Sequence, residues 1–257
     1  MTEIVEKLQC PDCGGPLKAA PGEAIITCEY CGSAVNVAVG SKYFLNHSCV
    51  PNRLSVADVE AAARSWMSGG FLKPGDLARK ARIVSMELSM VPLFVMNISA
   101  ETTYKGFFTR GSPAIQRSGN LSKDYFWKVV GRRASAFPAR EYQVPLSAKV
   151  TFTMDLVPKG AKFLNAELDD AEAVVKAKQE IGDNQRFLLS QELDFIESAE
   201  TDAKVRDVEF LHVPVWNVRY EYRKRIYDLM LDGQTGADIR GDIPESGGKG
   251  LLGSLFG

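Results

Sequence analysis

The sequence predicts an α+β fold in which helices cover one face of an antiparallel sheet, preceded by a small cysteine-rich module. Three observations carry this. Two cysteine pairs with equal gaps, "CPDCGG" and "CEYCGS", lie in the first 33 residues. Two alanine-rich stretches, "SVADVEAAARSWM" from Ser55 and "DDAEAVVKAKQEI" from Asp169, have helical periodicity and acidic starts. From Val215 the chain alternates apolar and charged residues, with Trp216, Val218, Tyr220 and Tyr222 on one face and Asn217, Arg219, Glu221 and Arg223 on the other. Such alternation marks a strand with one packed face and one wet face.

The cysteines come first in the chain. Cys10 and Cys13 are separated by two residues, as are Cys28 and Cys31, with fourteen residues between the pairs. A tight turn at each pair brings two thiolates to one point, and Gly14 and Gly32 permit the positive φ such a turn needs. The segment between them, "PLKAAPGEAIITC", reads as a strand, a Pro-Gly turn and a second strand. Four sulfurs suit tetrahedral Zn²⁺ at about 2.3 Å, and four protein ligands leave no position for water, so the expected ion is one structural zinc. Iron fits four thiolates at similar geometry. A redox role for the pairs would need a thioredoxin-like βαβ unit, which is not visible.

This pattern resembles the zinc-ribbon family, including ribbons of transcription factors, over about residues 8 to 39. The cysteines, with Pro214 to Tyr222 and Asp232 to Gly236 ("PVWNVRYEY" and "DGQTG"), also resemble a group of bacterial and archaeal ribbon-containing proteins. Some of that group are linked to membrane-stress systems with phage-shock-protein-A-like or band-seven-type partners. The resemblance implies a prokaryotic complex subunit and no particular reaction.

Bulk composition is that of a chain with a real core. Its 257 residues are 45% hydrophobic and 25% charged, and the formal charge of −1 exerts no global pull on nucleic acid or acidic lipid. The longest apolar run, Val91 to Ile98, is broken by Pro92 and Asn97 and falls short of the roughly 20 residues that cross a bilayer. The opening "MTEIVEKLQC" carries acids and lacks the apolar core of a secretory signal. The expectation is a cytoplasmic protein, at most peripheral to a membrane or assembly, with reduced thiols.

The remaining residues repeat a pattern. "VPLFVMNISAETTYKG" from Val91 parallels "VPVWNVRYEYRKRIYD" from Val213, and one of the two helical stretches precedes each. A duplicated module is therefore expected. Pro92 and Pro214, lacking an N–H, are expected at strand starts or sheet edges. Asp232-Gly233 signals a hairpin turn between strands Ile226–Leu231 and Ala237–Arg240. "YQVPLSAKVTFTMDLVP" from Tyr142 reads as another β-rich run. The expected divisions are a ribbon at 1–48, α+β modules at 49–160 and 161–243, and a flexible tail at 244–257.

Charge is segregated: Tyr104 to Lys149 carries +7 and Val150 to Asp202 carries −7. Either the two pieces neutralise each other within a chain or between subunits, or the basic piece faces an anionic partner. Aromatic residues interleave its cations, as in single-stranded nucleic-acid binders and at anionic membranes. Lys128, Arg132, Arg133 and Arg140 are the anion-binding candidates. The ribbon does not help such binding: residues 1–48 carry −2 before the four thiolates and the zinc are counted. Asp169, Asp170 and Glu172 lack metal-binding spacing and suit a helix start.

In the tail, Leu251, Leu252, Leu255 and Phe256 form one apolar stripe after a glycine-rich linker, the pattern of a docking peptide or of a frayed end. The two histidines, His47 and His212, read as structural residues, and Cys49 as a small buried thiol; a further metal-ligand role is the sharper alternative for His47 and Cys49. No phosphate-binding loop, nucleophile elbow or zinc-protease motif is present, so no base and nucleophile can be nominated and no small-molecule substrate is expected. The sequence thus points to a non-catalytic, zinc-stabilised adaptor or structural subunit whose partner is another protein, a second copy or a membrane surface. The alternative is a nucleic-acid-associated factor using the ribbon and residues 104–149.

Overall fold

The computed structural model describes residues 8–37, 43–70, 72–110 and 113–245. In chain order these form short strands β1 (Ile25–Thr27), β2 (Ala34–Asn36), β3 (Tyr43–Leu45) and β4 (His47–Cys49), then helices α1 (Val56–Ser68) and α2 (Leu77–Lys80). The long strands β5 (Arg82–Phe108) and β6 (Ile115–Val130) follow, then the two-residue strands β7 (Val150–Thr151) and β8 (Lys162–Phe163). The chain continues with helix α3 (Asp170–Glu192), the long strand β9 (Phe195–Tyr222), β10 (Arg225–Asp232) and β11 (Asp238–Gly241). The fold mixes helix and sheet and is mostly sheet.

β5 and β9 form the antiparallel centre of the large sheet, paired from Arg82–Glu221 to Phe107–Phe195. Every residue from Leu88 to Met96 is buried, because both faces of the sheet are covered there. On one face α1 packs on Leu88, Trp216, Val218 and Tyr220, and α3 on Phe94, Met96, Ile98 and Phe210. On the other, Phe137, Ala139 and Tyr142 from the loop after β6 cover Val91, Leu93, Leu211 and Val213. Burying one such large side chain contributes about 1.5–3 kcal/mol, so this double cover fixes the register of the two strands. The helices lie on the same face, as the alternation predicts.

Both helices start where their caps dictate. Ser55 accepts from the Asp58 N–H while Asp58 reaches back to the Ser55 N–H, and Asp169 and Glu172 do the same for α3. α3 runs to Glu192, well beyond the expected Ile181, carried on by buried Gln185 and Leu189.

Two expectations need correction. Pro92 and Pro214 lie inside the central strands, opposite His212 and Met90. The Pro92 carbonyl accepts from Gly131 N–H and the Pro214 carbonyl from Gly233 N–H, so each ring nitrogen points toward the same outer neighbour. There β5 passes from β8 to β6, and β9 from β4 to β10, which leaves no acceptor waiting for an N–H. The run from Tyr142 is chiefly loop and single 3-10 turns, with β7 as its only strand among the described residues. Pro145 and Pro158 interrupt its ladder, and its apolar side chains cap the sheet instead.

The two halves around Val91 and Val213, which pair directly, share several backbone hydrogen bonds. Val50 N–H donates to the His212 carbonyl, and Leu164 N–H to that of Met90. Arg53 and Leu54 N–H both donate to the Gly233 carbonyl, and Glu167 and Leu168 N–H both to Gly131. The buried helix positions Val59, Ala63 and Met67 on α1 match Ala173, Ala177 and Ile181 on α3.

Candidate metal centre

Residues 8–37 place the four cysteines from two matching turns. Gly14 N–H donates to the Cys10 carbonyl at 2.9 Å and Gly32 N–H to that of Cys28 at 2.9 Å. Gly14 and Gly32 have φ of 73° and 79°, a left-handed conformation that glycine adopts without the Cβ penalty. The strand β1 between the turns buries Ile26 against Leu17, Val35, Cys10 and Cys28, so the turns stand on a small core.

The four sulfurs of Cys10, Cys13, Cys28 and Cys31 all lie within 4.8 Å of one another. Cys10 and Cys31 sulfurs are 3.7 Å apart, as are those of Cys13 and Cys28. Sulfurs around a tetrahedral ion at about 2.3 Å stand about 3.8 Å apart, so the donor set fits a metal ion. The group is electrostatically unsettled as bare thiols. The Cys13 thiol is pushed up to about 12: the Gly15 N–H lowers it, but desolvation and the three neighbouring sulfurs outweigh that. Cys31 goes the other way, because the Ser33 hydroxyl and N–H and its sulfur neighbours overcome the cost of burial. Burial likewise raises the Cys10 thiol, so Cys10 and Cys13 resist ionisation while Cys31 gives up its proton more readily.

The centre is fastened to the large sheet. Ile25 and Ala34 are fully buried in the core under α3, and Ile25 exchanges backbone hydrogen bonds with Ala166. Asn165 accepts from Thr27 N–H and donates to Glu23. His47 approaches the Gly32 carbonyl through Nδ1 at 3.1 Å, and its Nε2 lies 2.7 Å from Nδ1 of His212. His212 in turn reaches the Leu164 carbonyl at 2.9 Å, with its ring stacked on Phe163 while His47 stacks on Phe152. Spacing gave no hint of this pair, whose members are 165 residues apart. Cys49 points away to the Val50 carbonyl, its thiol pushed up to about 12 by burial, and joins no metal-binding group among the described residues.

The anion-binding candidates are engaged internally. Lys128 is buried and donates to the Tyr142 carbonyl, and Arg140 lies over the Trp127 ring. Arg132 pairs with Glu167 and Arg133 with Glu172; with Lys105–Glu197 and Arg110–Asp194, four ion pairs join the basic segment to the acidic one. The docking stripe Leu251, Leu252, Leu255 and Phe256 lies outside the described residues.

Among the described residues no helix is long and apolar enough to cross a membrane. No protein-family model matches the chain, and no curated protein or solved structure is similar enough to count as a match.

Proposed function

We propose that this protein is a non-catalytic, zinc-stabilised adaptor or structural subunit that works through protein contacts. The observation that carries the reading is the four-sulfur group, with all ligand atoms within 4.8 Å. Four thiolates saturate tetrahedral zinc, leaving no site for water or substrate, and such sites stabilise folds. The twin glycine turns and the β1-β2-β3 sheet support a zinc ribbon. The matching hydrogen bonds around Val91 and Val213 support a duplicated module of strand, helix and two strands.

The nucleic-acid alternative draws less support, since Arg132 and Arg133 already hold Glu167 and Glu172. Elemental analysis of freshly purified, reduced protein tests the main reading. One zinc per chain, with no exchangeable water detected spectroscopically, is the expected result. A metal-free folded protein, or an open coordination position, removes it.

A further inference from the structure

The seat that the ribbon occupies has a counterpart in the other half. The ribbon places Ile25 beside Ala166, Leu168, Phe94 and Phe210, with Ala24 and Ile25 N–H on the Ala166 carbonyl and Ala166 N–H on the Ile25 carbonyl. By the pairing pattern, these four residues correspond to Asn52, Leu54, Trp216 and Leu88. Among the described residues, nothing of the ribbon lines that second position. In its place lies a groove of about 430 Å³ lined by Asn52, Leu54, Met86, Leu88, Ala161 and Trp216.

The groove floor is prepared as the ribbon's seat is. Ala166 uses both its N–H and its carbonyl on Ile25; among the described residues the Asn52 backbone N–H and carbonyl make no hydrogen bond. The Asn52 side chain is held, accepting from Trp216 Nε1 at 2.9 Å and donating to the Leu54 carbonyl at 2.9 Å. Apolar walls with an unpaired backbone edge are what an extended segment requires. The rim differs in charge from its counterpart: Lys159 and Lys162 line it against one acid, Glu87.

We propose that this groove docks an extended segment of a partner protein, one presenting an aliphatic side chain with an acidic residue close before it. Ala24-Ile25 is the internal template for the backbone and aliphatic parts of that segment, and the acid answers the two lysines of the rim. The aliphatic side chain fills the space between Leu54, Leu88 and Trp216, the segment's backbone pairs with Asn52, and its acid meets Lys159 and Lys162. This deepens the adaptor reading and rests on the duplication.

The test is a nuclear magnetic resonance titration of the full-length, zinc-loaded chain with a synthetic peptide of residues 19–27. Saturable shifts of the Trp216 indole and the Asn52 and Leu54 amides are expected. Binding should weaken about tenfold or more when the peptide carries Asp in place of Ile25, when the protein carries Leu54→Arg, or when it carries Lys159→Glu. Lys159 is exposed, so the last variant leaves folding untouched. No shift at millimolar peptide, shifts confined to Ala166 and Leu168, or shifts indifferent to Ile25 overturn the proposal. So does a dimer that Leu54→Arg disperses, because the occupant is then a second copy. Zinc content of the same sample keeps failure of the groove distinct from failure of the ribbon reading.

Discussion

His47 Nε2 and His212 Nδ1 stand 2.7 Å apart, and the outer nitrogens of the two rings face the Gly32 and Leu164 carbonyls. Carbonyl oxygens only accept, so three contacts call for three protons while two neutral rings carry two. Burial opposes the third: it lowers His47 to about 4 and holds His212 well below its ordinary value, and each ring is stacked on a phenylalanine. The pair therefore joins the cysteine module to the sheet in its neutral form.

The sign of the pH dependence follows. Unfolded histidines take up protons near pH 6.5, whereas folded His47 resists until about 4 and folded His212 is likewise held well below its ordinary value. Stability is thus full above pH 6.5 and falls as pH drops toward 4, by about 1.4 kcal/mol per pH unit for each proton the unfolded chain binds in excess. Denaturation midpoints measured from pH 8 to 5 should show this fall. The slope should be shallower in His47→Gln, which has lost one titrating ring.

Replacing a single ligand should empty the metal centre. Cys28→Ser removes a fully buried sulfur from the group and from the small core beneath it. Bound zinc should fall to trace levels, and the midpoint of thermal unfolding should drop by roughly 10 °C, corresponding to several kcal/mol. Chelator treatment of the parent protein should give a similar drop. Cys49→Ser should retain the metal, because Cys49 stands outside the group.

The matching glycines should respond unequally. A Cβ on Gly233 would lie 2.6 Å from Asn52 Oδ1 and 2.7 Å from Pro214 Cβ; on Gly131 it would lie 3.0 Å from Ala166 Cβ and 3.2 Å from Pro92 Cβ. Gly233→Ala should cost about 1–3 kcal/mol and Gly131→Ala less. Equal costs in urea denaturation would mean that the two turns are not tightened to different degrees.

Buried and exposed polar contacts should separate cleanly. The Tyr142 hydroxyl donates to the Asp232 carboxylate, and both residues are nearly inaccessible. Tyr142→Phe leaves that oxygen without its partner and should cost about 1–3 kcal/mol. Arg133→Ala breaks an exposed pair with Glu172 and should cost less than about 1 kcal/mol. Affinity of the same Arg133 variant for single-stranded nucleic acid, measured across a salt series, should match the parent.

Much of this molecule is written in local pattern. The cysteine spacing and its glycines specify the two turns. Ser55 and Asp169 mark helix starts, and alternation from Val215 separates buried Trp216, Val218, Tyr220 and Tyr222 from wet Arg219 and Arg223. Asp232-Gly233 lies at the turn between β10 and β11, as expected. These signals are legible because each depends on residues two to four positions apart, where chain geometry alone decides who meets whom.

Contacts across the chain obey no such spacing. Lys128 looks like a surface cation until the loop at Tyr142 closes over it, and the prolines look like edge residues until two strand partners change over beside them. The His47–His212 bridge and the groove beside Asn52 exist only once β4 and β8 have been laid against β9 and β5. The sequence by itself determined the cysteine turns, the helix starts and the packed faces. Tertiary structure decided which charges are spent internally and which backbone edge is left open, because burial and strand pairing are properties of the assembled sheet and not of any short window of residues.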